Sequence, residues 1–281
     1  MIRIGIACLA TVALPALAQQ LPRSTDGSDP AAWDPKSTAL LAAPANHKVI
    51  YEDDALRIVS VTVPPGTAEP VHSHPYYSVL VFDQPARSED RDAQGRPAAR
   101  AFIALQSTAM GIPIVGIQAP QAPHSLRNLD RTAIHLTRIE FKLGMQQPRL
   151  IASFWGQGAA PVSTDGTDPA QWDPREEALA AAPANHRVIY EDAAIRILSV
   201  TDPPGDVEKP HRHPLASVLV FDRPAGTVLH AADGTPLRND VSWDNRPTVM
   251  LLPPQALHWT TNPDSRAAHL VRIEFKHGLP Q

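Results

Sequence analysis

The stretch that decides the fold is PPGTAEPVHSH at residues 64–74, which returns 139 residues later as PPGDVEKPHRH at residues 203–213. In both copies a Pro-Pro-Gly turn precedes a His-x-His pair. Around this stretch, residues 24–86 and 163–225 share 44 identical positions of 63. Identity at that level along a fixed offset is the signature of an internal repeat, so the chain is one unit written twice.

The repeat predicts how the 281 residues divide. The similarity resumes near the end of each unit, where Arg-Ile-Glu-Phe-Lys occurs twice. We therefore expect domain 1 over residues 19–142, a linker containing Pro and Gly over 143–162, and domain 2 over 163–281. Each unit then has about 120 residues, an ordinary domain size.

Within a unit the dominant pattern is that of short β-strands. Residues 56–63 alternate between apolar and polar side chains, and residues 77–82 are β-branched and aromatic. Turn pairs follow at Gln94-Gly95 and Asp233-Gly234. Short strands punctuated by Gly and Pro predict an all-β sandwich or barrel.

A short helix is predicted before the first strand of each copy. Asp34-Pro35 and Asp173-Pro174 have the form of an N-cap followed by Pro at the first helical position. The second copy adds Glu176, which would complete a capping box.

Composition excludes one class of partner. Lys and Arg number 25 against 29 Asp and Glu, a formal net charge of −4. Binding to nucleic acid through phosphate neutralisation needs a basic surface, so we expect a small-molecule ligand and no nucleic acid.

The first 18 residues have the form of a secretory signal peptide. One Arg precedes an apolar run, residues 4–18, that closes in Ala-Leu-Ala. The alternative is a membrane anchor, but the run is shorter than the roughly 20 residues that span a bilayer. Cleavage would remove Cys8 and leave no cysteine. We expect an exported bacterial protein, periplasmic or secreted, with no membrane association after cleavage and no thiol chemistry.

The two His-x-His pairs are the candidate chemistry. Residues i and i+2 of a strand face the same side, so His72 and His74 can reach one metal ion if a third ligand comes from another strand. His124 is the candidate for that ligand. In the second copy the corresponding residues are His211, His213 and His258. Alternatively, these histidines are buried hydrogen-bonding residues that bind no metal.

With these motifs the chain resembles the cupin superfamily. The first cupin motif, G-x5-H-x-H-x3,4-E-x6-G, is matched in its first half from Gly66 and again from Gly205. The second, G-x5-P-x-G-x2-H-x3-N, is matched by Pro253, His258 and Asn262. The first copy keeps only the His and Asn of that second motif, at positions 124 and 128. The resemblance implies two tandem jelly-roll barrels, each with a short N-terminal arm and helix.

The chain also departs from the cupin pattern. The motif glutamate is absent, because its two possible positions hold Ser and Val in both copies (Ser78, Val79, Ser217 and Val218). Gln121 and Gln255 replace a motif glycine. The family's metal site, carried over, would be three histidines per barrel without a carboxylate.

The resemblance implies a divalent metal ion, with Fe²⁺ the first expectation and Zn²⁺, Mn²⁺, Ni²⁺ or Cu²⁺ open. Three neutral imidazoles leave the ion its full charge, which favours a small anionic or chelating molecule. A dioxygenase-like oxidoreductase is the leading hypothesis. A non-catalytic binding protein and a structural or partner-binding bicupin are the alternatives. The paired barrels could form a monomer or a homo-oligomer.

Other residues have open roles. Tyr76 and Tyr77 are candidate catalytic proton donors beside the first site, or packing residues. His47 and His186, in Pro-Ala-Asn-His, are interpreted as turn residues. Arg138 and its copy Arg272 would bind a carboxylate substrate if they face inward.

Overall fold

The structure is a computed structural model that describes residues 21–99, 101–104, 114–142, 149–150, 161–237 and 247–277. The predicted signal peptide lies outside the described residues. So does most of the predicted linker, namely residues 143–148 and 151–160.

The first repeat forms a two-sheet β-barrel. Its strands are β1 (His47–Glu52), β2 (Leu56–Val63), β3 (His72–His74), β4 (Ser78–Gln84), β5 (Ser88–Asp92), β6 (Phe102–Ala104), β7 (Ile114–Gln118), β8 (Gln121–Asn128) and β9 (Ile134–Phe141). The larger sheet has the order β1-β2-β9-β4-β7-β6 and the smaller one β3-β8-β5. All pairings are antiparallel. From β2 to β5 and again from β7 to β9, successive strands alternate between the two sheets, which is the jelly-roll arrangement.

The second repeat forms the same barrel. Its strands are β11 (His186–Glu191), β12 (Ile195–Asp202), β13 (His211–His213), β14 (Ser217–Arg223), β15 (Val228–Ala231), β16 (Thr248–Leu252), β17 (Gln255–Thr261) and β18 (Ala268–Phe275). The sheet orders are β10-β16-β14-β18-β12-β11 and β13-β17-β15, where β10 is Arg149–Leu150. The prediction of an all-β fold with two tandem jelly-roll barrels is confirmed.

β10 comes from the predicted linker. It pairs in parallel with β16 at the edge of the second barrel's larger sheet, so at least these two linker residues belong to a sheet. Covering an edge strand in this way satisfies backbone groups that would otherwise be open to another chain.

The predicted helical arm of each barrel is short and mostly of the 3₁₀ type. 3₁₀ turns at Pro30–Ala32, Pro35–Ser37, Pro169–Gln171 and Pro174–Glu176 lead to α1 (Ala39–Ala42) and α2 (Ala178–Ala181). Asp34 and Asp173 cap their turns by accepting a bond from the backbone N–H two residues on. Glu176 instead accepts from Arg212 at 2.6 Å, so the predicted capping box is wrong.

The two barrels pack through the outer faces of their larger sheets. One buried apolar cluster contains side chains from both, including Ile58 and Ile139 of the first and Ile197 and Ile273 of the second. Arg223 also donates to Asp53 across the boundary at 2.7 Å. The strands therefore bury one face against the partner barrel and leave the other face for the barrel interior, where the candidate sites lie.

No helix among the described residues is long and apolar enough to cross a membrane.

Candidate metal centres

Four histidines converge inside the first barrel. His72 and His74 lie at the two ends of β3, and β8 places His124 directly opposite His72. His47 begins β1 and enters the same space. The ring centroid of His72 lies 4.6 Å from that of His124 and 5.0 Å from that of His74, and the rings of His74 and His124 are 5.7 Å apart. The ring of His47 lies 4.6 Å from that of His72 and 5.1 Å from that of His74. We call these four residues cluster 1.

The second barrel repeats this arrangement closely. Its members, cluster 2, are His186, His211, His213 and His258. The distances between ring centroids from His211 are 4.6 Å to His186, 5.0 Å to His213 and 4.6 Å to His258. All eight histidines of the two clusters are buried. The six predicted histidines thus gather in two groups, one in each barrel.

Each group also contains a histidine that sequence reasoning missed. The interpretation of His47 and His186 as turn residues is wrong, because each is buried at the start of a strand. The only sequence signal was the repetition of Asn-His at both positions, some 25 residues before the His-x-His pairs.

The hydrogen bonds of cluster 1 fix the orientation of every ring. The Nδ1 atoms of His47, His72 and His124 lie 3.2, 2.8 and 3.0 Å from the backbone carbonyls of residues 43, 70 and 122. The Nδ1 of His74 lies 3.1 Å from Oε1 of Glu140. A carbonyl can only accept, so Nδ1 carries the proton in the neutral ring and the lone pair lies on Nε2.

Cluster 2 has the same pattern. Nδ1 of His186, His211 and His258 faces a backbone carbonyl at 3.2, 2.8 and 2.7 Å, and Nδ1 of His213 faces Glu274 at 3.2 Å. Metal-binding histidines donate their second ring N–H to a carbonyl or carboxylate in this way, which sets the tautomer and aims the ligand nitrogen. All eight rings satisfy that condition.

Burial keeps these rings in the ligand form. Loss of hydration, reinforced by His72, lowers the pKa of His47 to about 3, and loss of hydration lowers the pKa of His72 to about 4. The same cause lowers the pKa of His74 and His124 well below the ordinary value. At neutral pH all four imidazoles are uncharged, as coordination requires.

The donor set fits a divalent ion. The candidate ligand atoms of His47, His72 and His74 lie within 4.8 Å of one another, as do those of His186, His211 and His213. Three equally spaced nitrogens bound to one ion at about 2.1 Å are at most about 3.6 Å apart, so a pair of ligand atoms at the 4.8 Å limit would have to approach by about 1 Å on binding. Imidazole nitrogens suit Zn, Cu, Fe and Ni, and the donor type alone does not choose among them.

A buried polar network supports each cluster. In the first barrel Glu140 also contacts Arg57 at 3.2 Å and Arg138 at 3.3 Å. Arg138 Nη1 donates to Gln121 Oε1 at 2.7 Å, and Gln121 Nε2 lies 3.4 Å from Nε2 of His124. The glutamine that replaces the motif glycine therefore links the arginine to the histidine cluster.

A second buried carboxyl lies behind His47. Glu69 Oε1 is 3.7 Å from Nδ1 of that histidine, and its copy Glu208 is 3.9 Å from Nδ1 of His186. Burial, with Asp90 nearby, raises the pKa of Glu69 to about 8, and burial with Asp202 raises that of Glu208 to about 8. Both carboxyls are largely protonated at pH 7.

The second barrel contains a cavity of about 100 Å³ beside cluster 2. All four histidines line it. Apolar side chains form much of its wall, among them Val200, Leu219, Phe221, Met250 and Leu252. The wall also contains the charged or amide side chains of Arg272, Gln255, Asp202 and Glu208. A mostly apolar wall with a few convergent polar groups is the usual form of a small-molecule site.

The tyrosines proposed as proton donors make other contacts. Tyr77 belongs to the apolar cluster between the barrels, and its hydroxyl donates to the Pro22 carbonyl at 3.0 Å. Tyr76 lies under the Arg57 guanidinium, 5.9 Å from it. Among the described residues neither hydroxyl is hydrogen-bonded to a histidine of cluster 1, and the catalytic role of the two tyrosines stays a prediction.

Two further sets of residues have structural contacts. Ser78 and Ser217, at the position of the missing motif glutamate, donate to backbone carbonyls of Tyr76 and Leu215. His135 lies outside cluster 1, with Nδ1 at 2.7 Å from Asp83 and Nε2 at 3.0 Å from Ser60, where it joins three strands of the larger sheet.

Similar solved structures include a cupin domain from Bordetella pertussis, 22% identical over 32% of this chain and 91% of that chain, with a TM-score of 0.26. A cupin 2 conserved barrel domain protein from Leptotrichia buccalis is 10% identical over 82% of this chain and 88% of its own, with a TM-score of 0.26. The oxalate decarboxylase of Lactobacillus farciminis in a formate complex is 13% identical over 82% and 80%, with a TM-score of 0.24.

No protein-family model matches the chain, and no curated protein matches it. The jelly-roll assignment rests on the strand order and register of this chain.

Proposed function

We propose that each barrel binds one divalent metal ion through its histidine cluster, and that the exported protein acts on a small anionic or chelating molecule as a dioxygenase-like oxidoreductase. The observation that carries the metal proposal is the orientation of the eight rings. In each ring the Nδ1 proton is directed at a fixed acceptor, which leaves Nε2 as the ligand nitrogen. In His124 that nitrogen lies 3.4 Å from Gln121 Nε2, which a bound ion would displace.

The charge of the donor set supports the ligand class. Imidazoles contribute no negative charge, so the ion keeps its +2 charge and attracts an anionic ligand. When bound, such an ion supplies a Lewis acid and open coordination positions. The chain itself supplies the apolar wall that excludes water, and Glu140 and Glu274 hold the rings of His74 and His213 in place.

The fourth imidazole favours a second candidate. If all four histidines bind the ion, a tetrahedral site is closed, as in structural or storage sites, whereas three ligands leave a position for substrate. A non-catalytic metal-binding protein therefore remains the competing proposal. The number of bound imidazoles separates the two.

The test begins with metal uptake. The purified protein is reconstituted with Fe²⁺, Mn²⁺, Ni²⁺, Cu²⁺ or Zn²⁺, dialysed, and analysed by mass spectrometry for metal per chain. We expect His47→Gln to weaken uptake, whereas His277→Ala, which changes an exposed histidine outside both clusters, leaves it unchanged. Uptake by none of the metals would contradict the metal proposal.

Catalysis is tested on the loaded protein. The visible spectrum of the Co²⁺ form reports whether added azide enters the coordination sphere, and oxygen consumption is followed with a panel of small acids and diols. Azide binding with substrate-dependent oxygen uptake supports the oxidoreductase. A spectrum unchanged by azide, with no turnover, supports the storage site.

Export is tested separately. Cell fractionation and the intact mass of the purified protein locate it, and we expect a mature chain beginning at Gln19. A cytosolic protein that retains residues 1–18 would contradict export.

A further inference from the structure

We propose that the cavity of the second barrel binds a small carboxylate through the guanidinium of Arg272. The inference rests on the proposed function in placing this ligand beside cluster 2, and it names the ligand class and the residue that recognises it.

The first observation is an unused donor. Arg272 is buried, and its Nη1 donates to Gln255 Oε1 at 2.5 Å. Its Nε lies 3.3 Å from Glu274 Oε1 without hydrogen-bond geometry, and its Nη2 has no hydrogen-bond partner within the described part of the chain. A buried guanidinium N–H without an acceptor is energetically unfavourable, so the Nε and Nη2 groups of Arg272 are available to a hydrogen-bond acceptor on a ligand.

The second observation is where that arginine lies. Arg272 lines the same cavity as the four histidines of cluster 2. A ligand in this cavity can thus contact the guanidinium and the histidine cluster together. A carboxylate matches the planar fork of Arg with two parallel acceptors, which a spherical anion cannot do.

The charge around Arg272 also favours an anion. Glu274 is shared, since Arg196 donates to its Oε2 at 2.6 Å while Arg272 and His213 lie at Oε1. One carboxylate therefore faces two guanidinium groups. Asp202 and Glu208 also line the cavity and interact with each other, and Glu208 is close enough to interact with the charge of Arg272.

The cavity limits the size of the ligand. Its volume is about 100 Å³. By this measure one water molecule needs about 10–15 Å³, so the cavity has room for several waters or for a small organic ion. Formate, acetate or the carboxylate end of a longer molecule fits that space.

The open donor is a repeated feature. Arg138 of the first barrel likewise donates through Nη1 to a glutamine, Gln121, and leaves Nη2 without a partner among the described residues. Both copies of the repeated unit thus carry the open donor, and in the second copy it lines the cavity.

Acetate is the probe for the test. Isothermal titration measures acetate binding to the full chain, metal-free and metal-loaded, for the wild type, Arg272→Met, Arg272→Lys and Arg196→Met. Arg196 is the matched control, because it contacts the same glutamate and is not among the residues that line the cavity. Metal per chain and the circular dichroism melt are recorded for every variant, and chloride serves as the spherical anion.

We expect Arg272→Met to weaken acetate binding about tenfold or more, the loss expected for a charge-assisted hydrogen bond. Arg272→Lys should recover part of the affinity, Arg196→Met should stay within about twofold, and chloride should not compete. No acetate binding by the folded wild type, or equal weakening by Arg272→Met and Arg196→Met, would overturn the proposal. If Arg272→Met does not fold, Arg272→Lys and the chloride competition decide.

Metal content separates this inference from the proposed function. Wild-type protein that takes up metal but binds no acetate refutes the carboxylate site alone. Protein that binds acetate through Arg272 but takes up no metal refutes the metal proposal and leaves the carboxylate site standing.

Discussion

The two barrels of this chain have nearly identical histidine clusters and different cavity walls. The distances from the ring centroid of His72 to those of its three neighbours equal the corresponding distances from His211, namely 4.6, 5.0 and 4.6 Å. Yet Val63 in the first barrel corresponds to Asp202 in the second, and Thr67 corresponds to Asp206. The cluster is therefore a property of the repeated fold, whereas the chemistry of the surrounding wall belongs to each barrel separately.

The difference is concentrated in one acidic group. Asn185 donates to Asp202 at 3.3 Å and to Asp206 at 2.5 Å, and Asp202 also hydrogen-bonds to Glu208. The side chain of the matching Asn46 in the first barrel donates to the backbone carbonyl of Thr62 at 2.8 Å. If both barrels bind the same ion, we expect Asp202 and its acidic neighbours to account for any difference in ligand or in pH dependence between the barrels.

The largest expected effect concerns what the barrels share. Ile58→Ala and Ile197→Ala each truncate a fully buried side chain in the cluster between the barrels. Each should destabilise the full chain by about 2–5 kcal/mol, from lost apolar burial and the cavity left behind. Chemical denaturation measures both. If one variant lost less than half as much unfolding free energy as the other, the two halves of the interface would not be equivalent.

A smaller and again equal effect is expected at the Asn of the second motif. Asn128 donates to the carbonyls of Val63 and Thr132 and accepts from the N–H of Asp130. Asn262 makes the three corresponding bonds in the second barrel. Replacing either with Ala leaves buried backbone groups unpaired and should cost about 1–3 kcal/mol.

Thermal denaturation of Asn128→Ala and Asn262→Ala checks this, with metal per chain recorded for both. We expect metal binding to persist, because the side chains of Asn128 and Asn262 hydrogen-bond to backbone groups outside the histidine clusters. Loss of metal with an unchanged melt would show that the Asn is a metal-site residue.

The pH dependence should differ between the barrels. Burial raises the pKa of Glu208 and of its copy Glu69 to about 8, and only the second barrel adds Asp202, whose pKa burial raises to about 6. A carboxyl in the unfolded chain ionises near pH 4, so the folded state binds more protons than the unfolded state between about pH 4 and 8. The free energy of unfolding therefore falls as the pH rises through that window.

Asp202→Val, which installs the residue of the first barrel, should flatten this dependence, and Val63→Asp should steepen it. Urea denaturation at pH 5 and at pH 8 measures the slope for both variants and the wild type. Equal slopes for all three proteins would contradict the role assigned to Asp202.

Much of the architecture could be predicted from the sequence because the repeat and the strand pattern are local features. The offset of 139 residues fixed the duplication, and the pattern over 56–63 predicted the strand β2. Its apolar side chains divide between two clusters, with Ile58 in one and Val59 in the other. The jelly-roll topology followed from the motifs. The pairing of His72 with His124 has a physical basis in that opposite residues of antiparallel strands share a face.

What was missed depends on tertiary contacts. His47 reaches cluster 1 because β1 pairs with β2 and its first residue thereby lies over the barrel interior. No local sequence pattern predicts that placement. The hydroxyl of Tyr77 finds its acceptor in Pro22, 55 residues away. That contact could not be inferred from its position next to the His-x-His pair.

The most direct test of the central claim is metal per chain in four proteins, namely the wild type, His74→Ala, His213→Ala and the double variant. Each is reconstituted with the metal that the wild type retains best and analysed by mass spectrometry after dialysis, with circular dichroism to show that it is folded. We predict two ions in the wild type, one in each single variant and none in the double variant. A folded double variant that retains the metal content of the wild type would contradict the claim that these histidine clusters are the metal sites.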